Sequence, residues 1–293
     1  MGIVRIAKML YSADFPIELK KLRVWSLRGA LIAGKGLFLM RILVTNDDGI
    51  NADGLYALVT VLKRRHVVTV CAPEAEQSAI GHAITLSKPL RVKEVRKNGA
   101  RYGFAVNGTP ADCVKIAVRA LMDTPPDMVI SGINHGPNLG SDIMYSGTVS
   151  AATEGTILGI PSLAISLATY TRFDFRPAAT TVQQLIRLFP VKSFPDGVLL
   201  NVNMPAVALR DIRGMIITQQ GRSLYKERFV RRIDPRGRVY YWLTGKAHWL
   251  RKPYNSDIKA IEDNYVSITP LQLDLTAYNA MEKFASFLGV KSV

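Results

Sequence analysis

The sequence predicts an α/β protein in which helices cover both faces of a mostly parallel central sheet. Short apolar runs rich in β-branched residues alternate with segments of helical periodicity along most of the chain. Several of these runs end in polar, turn-forming stretches, which is typical of parallel strands that reach the edge of a sheet. With 293 residues and 48% hydrophobic content, the chain is long enough to bury such a core.

The first core strand and the turn that follows it lie in the stretch R-I-L-V-T-N-D-D-G-I-N-A-D-G at 41–54. Its apolar run is typical of a parallel strand buried on both faces, and ligands of open α/β sheets gather at the carboxyl end. Neighbouring side chains on a strand point to opposite faces, so Asp47 and Asp48 can meet one ion only if the backbone turns, which Gly49 permits. Two carboxylates there indicate a hard divalent cation. The alternative is an ordinary turn that caps the next helix.

A helix and a second strand complete a right-handed βαβ unit. Apolar residues at helical spacing predict a helix over 52–65, and a β-branched run predicts a strand over 67–72. The polar loop P-E-A-E-Q-S-A-I-G-H at 73–82 leaves the end of this strand and therefore lies beside the aspartate turn. Ser78 can reach the same site, and the alternative is a loop residue that is only solvated or capping.

A hairpin and a capped helix come next. Strands over 90–95 and 101–106 flank Asn98-Gly99, a pair typical of a tight hairpin turn. The motif N-G-T-P-A-D then begins a helix, because it provides an N-cap, a proline at the first helical position and an acidic residue at the third. Helix capping is a sufficient explanation for its three residues Thr109, Pro110 and Asp112.

The second informative polar stretch follows a buried strand at 127–131 and reads G-I-N-H-G-P-N-L-G-S-D-I-M-Y-S-G-T. Its glycines predict a close, rigid loop, and Ser146, Gly147 and Thr148 begin a helix of small residues. Helix N-terminal amides and the two hydroxyls can meet a phosphate there. A Ser146 that only caps the helix is the alternative.

The remaining elements predict one domain core followed by an extension. Strands are predicted over 160–166, 198–202, 215–218 and 259–268, and helices over 178–188 and 275–288. The predicted organisation has four parts: an extension over 1–39 that is disordered or outside the core, an α/β core over 40–220, a basic arm over 221–259, and a closing strand and helix over 260–293.

Charge and cysteine content narrow the class of protein. The formal net charge of +15 favours anionic ligands, whether phosphate monoesters, nucleic acid or a membrane surface. In the arm over 221–259, 11 Lys and Arg stand against 3 Asp and Glu, and interleaved aromatic residues suit base stacking or an oligomer interface. No apolar run approaches the roughly 18 residues that span a bilayer. We therefore expect a soluble protein. Two cysteines, Cys71 and Cys113, are too few for a disulfide framework, which fits a reducing cytoplasm.

Six motifs, in chain order, closely resemble the SurE survival-protein family of nucleotidases: D-D-G, E-Q-S-A, N-G-T-P-A-D, S-G-I-N-H-G-P-N-L-G, Y-S-G-T-V-S-A-A-T-E-G and Y-V-S-I-T-P. The resemblance runs from Met40 to near the end of the chain. It implies a Rossmann-like, three-layer fold and metal-dependent hydrolysis of nucleoside monophosphates to nucleoside and phosphate, with one Mg²⁺ or Mn²⁺ per subunit. It implies 5′-nucleotidase activity and leaves 3′-nucleotidase and exopolyphosphatase activity open.

The resemblance also implies roles for individual residues. The metal ligands are Asp47, Asp48, Ser78 and Asn134, of which Asp47, Asp48 and Asn134 are also catalytic; Asn46 and Gly49 shape the first turn; and the phosphate is held by Ser146, Gly147 and Thr148. His135 is expected in a flexible loop, either exposed to solvent or in contact with substrate. The chain departs from the family at Asn264, where relatives often have glycine, although Asn also permits a left-handed turn.

The expected chemistry is direct attack by metal-bound water. A covalent aspartyl-phosphate route is the rival, but two aspartates committed to the metal leave no free nucleophile. The resemblance further implies a homodimer or homotetramer with exchanged C-terminal segments, in which the extension beyond the core serves oligomerisation. Binding to nucleic acid or a membrane is not expected, and the alternative to an enzyme is a basic nucleic-acid-binding protein without catalysis.

Overall fold

The computed structural model describes residues 39–171, 173–188, 194–251 and 253–291, so nearly all of the predicted N-terminal extension lies outside the described residues. The strands are β1 (Arg41–Thr45), β2 (Val67–Pro73), β3 (Val92–Lys97), β4 (Ala100–Val106), β5 (Met128–His135), β6 (Ser162–Ala168), β7 (Val198–Pro205), β8 (Gly214–Ile217), β9 (Arg222–Ile233), β10 (Val239–Arg251) and β11 (Tyr265–Gln272). The helices are α1 (Asp53–Leu62), α2 (Pro110–Ile116), α3 (Gly147–Ile157), α4 (Arg176–Ile186), α5 (Asp257–Glu262) and α6 (Tyr278–Leu288). Within the described ranges, no helix is both long and apolar enough to cross a bilayer.

A mostly parallel sheet forms the centre of the molecule, in the strand order β3-β4-β2-β1-β5-β6-β7-β11-β8. Strands β4, β2, β1, β5, β6 and β7 run parallel, whereas β3 and β11 are antiparallel to β4 and β7. The chain leaves β1 toward β2 on one side and later returns to β5 on the other. The strand order therefore reverses between β1 and β5, which is where open α/β sheets bind ligands.

Alternate residues of β1 pack against helices on opposite faces of the sheet. Ile42 and Val44 belong to a buried cluster that includes α1 and α4, and Leu43 belongs to a second cluster that includes α2 and α3. Leu55 and Leu58 of α1 are fully buried in the first cluster, and burying a leucine side chain contributes about 2 kcal/mol. The predicted α/β fold with three layers is confirmed.

Three local predictions are also confirmed. The N-cap of α2 is complete, because Thr109 Oγ1 accepts from Asp112 N at 3.0 Å and Thr109 N donates to Asp112 Oδ2 at 2.9 Å. Asn98 and Gly99 have φ of +53° and +77°, which is the left-handed geometry of a tight hairpin turn. Asn264 has φ of +60°, so asparagine does adopt the left-handed turn at this position.

The prediction of a strand over 259–268 is wrong in its first half. Residues Asp257–Glu262 form α5, whose N-cap Ser256 accepts from Lys259 N at 3.3 Å. Ile258 and Ala260 are buried on the core side of this helix. The strand begins only at Tyr265, because the left-handed turn at Asn264 separates the two elements.

The basic arm forms a separate two-stranded antiparallel hairpin of β9 and β10, a structure that its sequence pattern did not predict. At its tip, Gly237 N donates to Asp234 O at 2.9 Å and the Arg238 guanidinium lies 3.0 Å from an Asp234 carboxylate oxygen. The tetrapeptide D-P-R-G at 234–237 is a turn signal that marks this tip. After the hairpin the chain returns through β11, which lies between β7 and β8 in the central sheet.

Candidate active site

The turn after β1 is held by contacts that require a glycine. Asn46 Nδ2 donates to Gly49 O at 3.0 Å, and Ile50 N donates to Pro73 O at 2.8 Å. Gly49 has φ of +95°, and a Cβ there would lie 3.3 Å from the carbonyl carbon of Ala75. Asn46 is fully buried, and its Oδ1 has no hydrogen-bond partner among the described residues. The turn is thus rigid and presents the following two aspartates at the edge of the sheet.

Asp47 is buried against the N-terminus of α3, with only 7% of the residue exposed. Its Oδ1 accepts a short hydrogen bond from the Thr148 hydroxyl, and the Thr148 backbone N–H also interacts with this carboxylate. A Cβ at Gly147 would lie 2.7 Å from the Asp47 Cβ, so glycine is needed for this close approach. Burial raises the pKa of Asp47 from 3.8 to about 6, although the Thr148 hydrogen bond opposes the rise. The β1 turn and the start of α3 therefore form one structure.

Asp48 is half-buried and faces the end of β5. Its Oδ2 lies 3.4 Å from His135 N, which donates to it, and burial raises the pKa of this carboxyl above its ordinary value. The preceding residue, Asn134, donates its Nδ2 to Gly136 O at 2.8 Å. This contact fixes the amide plane of Asn134 beside the aspartate turn.

His135 does not lie in a flexible loop, so that part of the expectation is wrong, whereas its side chain is exposed as expected. It is the last residue of β5 and pairs with Leu167 of β6. Its Nε2 lies 2.9 Å from Thr171 O, and its ring contacts the edge of Phe175 at a centroid distance of 6.0 Å. The extra length of β5 arises because backbone pairing with β6 resumes after an irregularity that follows Ser131.

The loop that carries Ser78 lies against the same turn. Gln77 N donates to Asp47 O at 2.8 Å, and Gly81 N donates to Tyr145 O at 3.1 Å. The Ser78 hydroxyl donates a short hydrogen bond to the carboxylate of Glu76, which is not among the predicted site residues. Backbone contacts thus bring Ser78 to the site, while its hydroxyl is directed toward a neighbour in its own loop.

This loop is anchored by a buried glutamate that is also absent from the predicted site residues. Glu154 of α3 is 2% exposed, and its two carboxylate oxygens lie 2.8 Å from Lys115 Nζ and 3.0 Å from His82 Nε2. It therefore ties the Ser78 loop to both α2 and α3. The sequence S-A-A-T-E-G could have indicated the burial of Glu154. It places an acidic residue among small ones, and a helix of that composition is usually buried.

The N-terminus of α3 is capped by its own serine and also contacts the aspartate turn. Ser146 Oγ accepts from Val149 N at 3.1 Å, so the capping role considered as an alternative is present. Thr148 is fully buried and contacts Asp47. Three residues are predicted to meet a phosphate. Ser146 caps the helix, Thr148 contacts Asp47, and Gly147 lets the helix start and the Asp47 side chain approach each other.

The oxygen groups at this edge fit a hard divalent cation. Two carboxylates, one amide and one hydroxyl, those of Asp47, Asp48, Asn134 and Ser78, belong to three segments that the backbone contacts hold together. In the part of the chain that the structure describes, no group of three or more His, Cys, Asp or Glu is placed to hold a metal ion. A cation here would therefore need the amide and hydroxyl oxygens in addition to the carboxylates.

The burial of Asp47 predicts that removing its charge stabilises the metal-free protein. Its pKa is higher when folded, about 6, than its ordinary value of 3.8, so its contribution to stability is greatest below pH 4 and falls as the pH rises through 6. At pH 7.5 the ionised form costs about 3 kcal/mol. Asp47→Asn keeps an acceptor for Thr148, so we expect it to melt several degrees higher than wild type in EDTA at pH 7.5.

Thermal melts at pH 4 and 7.5 check this expectation. The difference between the two proteins should nearly vanish at pH 4, where Asp47 is protonated. Added Mg²⁺ or Mn²⁺ should raise the melting temperature of wild type more than that of the variant. Equal melting temperatures in EDTA at both pH values would mean that the carboxylate is not held in a buried environment.

Comparisons with known proteins match most of this chain. The family model described as "Survival protein SurE" matches residues 42–227. A protein named "5'-nucleotidase SurE" from Syntrophobacter fumaroxidans is 51% identical over 243 residues, which cover 83% of this chain and 97% of that protein. One of the same name from Moorella thermoacetica is 51% identical over 251 residues, covering 85% and 96%. The crystal structure of SurE protein from Aquifex aeolicus has a TM-score of 0.73 and 39% identity, and covers 85% of this chain and 99% of that one.

Proposed function

The chain belongs to the SurE survival-protein family, and from this we propose that it hydrolyses nucleoside 5′-monophosphates to nucleoside and phosphate with the help of a divalent metal. It is a phosphoric monoester hydrolase, a 5′-nucleotidase. The observation that carries the proposal is the contact between Asp47 and Thr148. It brings one of the proposed oxygen ligands of the cation to the helix N-terminus, where a phosphate is favoured.

Asp47, Asp48, Ser78 and Asn134 would hold one Mg²⁺ or Mn²⁺. When bound, such a cation neutralises phosphate oxygens and activates the attacking water. Thr148 keeps the Asp47 carboxylate in one orientation, and the His135 N–H does the same for Asp48. Asn46 and Gly49 keep the turn rigid, so the two carboxylates are already arranged before substrate arrives.

The start of α3 would hold the phosphate. The dipole of a helix N-terminus favours negative charge, and α3 is long enough to provide it. Ser146 caps the helix and so fixes the direction of its first amides, and Gly147 lets the Asp47 side chain approach the start of the helix closely. These residues would stabilise the charge that grows on the phosphoryl oxygens during transfer.

The hairpin β9–β10 would assemble the subunits. Opposed residues of an antiparallel pair point to the same face, and one face carries five exposed apolar side chains: Phe229, Ile233, Val239, Tyr241 and Leu243. A two-stranded ribbon is at best marginally stable alone in water, so this face needs a partner. Helix α6 also has no buried residue and exposes Phe284 and Phe287. Both features support a homodimer or homotetramer with exchanged C-terminal segments, in which 221–259 is the oligomerisation arm.

We also propose a reducing, cytoplasmic location. Cys71 and Cys113 are buried neighbours, yet both are free thiols. Buried cysteines that stay reduced support a compartment in which disulfides do not persist.

Phosphate release tests the function directly. We expect release from a panel of nucleoside 5′-monophosphates with Mg²⁺ or Mn²⁺, loss of release in EDTA, and recovery when metal is added back. Asn134→Ala removes a proposed ligand and should reduce release at least about 100-fold. Asn279→Ala, the same change at an exposed position of α6, should leave the rate unchanged. Release that is equally fast in EDTA would contradict the metal requirement.

A second candidate function, nucleic-acid binding, is favoured by the other face of the hairpin. Arg228 and Arg232 share this face with the exposed rings of Tyr240 and Trp242, which suits stacked bases beside phosphates. Oligonucleotide binding measured at two salt concentrations separates the candidates, because a binder loses roughly 0.9 log unit of affinity per log unit of salt for each duplex phosphate contact. Tight, salt-dependent oligonucleotide binding without phosphate release under any metal would mean that the protein is a nucleic-acid-binding protein and not an enzyme.

A further inference from the structure

The loop at 136–146, which leads from β5 into α3, is held at its middle by residues that flank the hairpin. Gly140 N donates to Asp257 Oδ2 at 2.8 Å, and Gly140 O accepts from Gln220 Nε2 at 2.8 Å. Gly140 begins the short 3₁₀ turn that precedes Ser146, the N-cap of α3. The peptide groups on both sides of Gly140 are therefore fixed from outside the loop.

Asp257 is fully buried, and its carboxylate joins three segments of the chain. Oδ2 accepts from Gly140 N, and Oδ1 accepts from Gly221 N at 2.8 Å and from Ile258 N at 2.7 Å. A Cβ at Gly221 would lie 2.8 Å from Asp257 Oδ1, so glycine is needed for this approach. A buried carboxylate is costly without donors, so these segments cannot move apart independently.

Asp257 also lies at the base of the hairpin, where backbone hydrogen bonds join its two ends. Gln219 N donates to Asn255 O at 3.0 Å, and Asp257 N donates to Gln219 O at 2.9 Å. These bonds join the chain that enters β9 to the chain that leaves β10. Asp257 therefore contacts both the hairpin base and Gly140.

The first part of the loop has a different anchor. Asn138 N donates to Asn203 Oδ1 at 2.8 Å, and Asn138 Nδ2 donates to Ser166 Oγ at 2.8 Å. Ser166 and Asn203 belong to β6 and β7 of the central sheet. The sheet holds Asn138, whereas the hairpin base holds Gly140, so a displacement of the hairpin would act on the residues that lead into α3.

We propose that Asp257 is a positioning residue that couples the hairpin β9–β10 to the phosphate-binding turn at 146–148, so that the position of the hairpin sets the affinity for substrate. The inference rests on the proposed function, because it takes the start of α3 to hold the substrate phosphate. Coupling between two sites is reciprocal, so an anion bound at the turn must also change the hairpin base.

Asp257→Asn tests the coupling in the full chain. Asn keeps the shape of the side chain but offers only one acceptor oxygen, and the orientation that retains the Gly221 and Ile258 bonds turns an NH₂ group toward Gly140 N. We expect KM for a nucleoside monophosphate to rise about tenfold with kcat within about twofold. Asp263→Asn makes the same charge change just after α5, away from the loop, and should leave both constants unchanged.

Amide hydrogen exchange provides a readout without turnover. Inorganic phosphate with Mg²⁺ should slow exchange over 219–222 in wild type and in Asp263→Asn, but not in Asp257→Asn. Gln220→Ala removes only the contact to Gly140 O from an exposed side chain, so it keeps the test available if Asp257→Asn fails to fold; its KM should rise about threefold.

The outcomes separate the inference from the function on which it rests. A wild-type KM in Asp257→Asn, or a wild-type phosphate response over 219–222 in that variant, would overturn the coupling. An unchanged KM in Gln220→Ala would do the same if Asp257→Asn cannot be purified. Wild-type protein that releases no phosphate with any metal would refute the proposed function instead.

Discussion

Asp47→Asn is expected to reduce metal-dependent phosphate release about 1,000-fold while the protein remains folded. The change removes one charge from the proposed ligand set, yet it keeps the shape of the side chain and an acceptor for the Thr148 hydroxyl. The same change should raise the melting temperature in EDTA, because the ionised carboxylate is buried. A substitution that lowers activity by damaging the fold cannot raise stability at the same time.

Initial rates at saturating Mn²⁺ provide the measurement, and Asp53→Asn provides the control. Asp53 is exposed in the first turn of α1. Its substitution by Asn is the same chemical change and lies in the same stretch of sequence. Its rate should stay close to that of wild type. If Asp47→Asn retained a tenth or more of the wild-type rate, Asp47 would not be a metal ligand.

Leu243→Glu is expected to dissociate the assembly. Leu243 lies on the apolar face of the hairpin opposite Phe229, and both side chains are exposed in the single chain. If this face is covered by a second copy, the substitution buries an unpaired carboxylate at the interface. The penalty of about 3 kcal/mol or more weakens association at least about 100-fold.

The neighbouring residue provides a matched control for this change. Thr244 lies on the other face of the same strand, so Thr244→Glu adds the same charge without entering the apolar face. Light scattering after size-exclusion chromatography, over a dilution series, should show smaller particles for Leu243→Glu only. Equal masses for both variants and wild type would mean that this face of the hairpin is not the interface.

Local features of the fold follow from short stretches of sequence. A tight turn at Asn98-Gly99, a left-handed residue at Asn264 and a capping box at Thr109 each depend on the conformational preferences of a few adjacent residues. The polar turn after β1 is of the same kind, because an apolar run that breaks into two aspartates and a glycine shows where a buried strand ends. Resemblance to a family predicts roles for these residues, because the order of several short motifs is itself a property of the sequence.

The arrangement of the site depends instead on contacts between distant parts of the chain. Asp47 and Thr148 are 101 positions apart, and Gly140 and Asp257 are 117 apart, so no local pattern predicts either contact. No local pattern predicts the role of Glu154 either. It is buried and joins separate segments only because Lys115 and the Ser78 loop pack against it. The sequence by itself determined the end of β1, the turn at Asn98-Gly99 and the cap of α2, because these depend on backbone preferences over a few residues. Only the tertiary structure decided which ends meet and which carboxylates are buried, because the strand order of the sheet brings distant segments together.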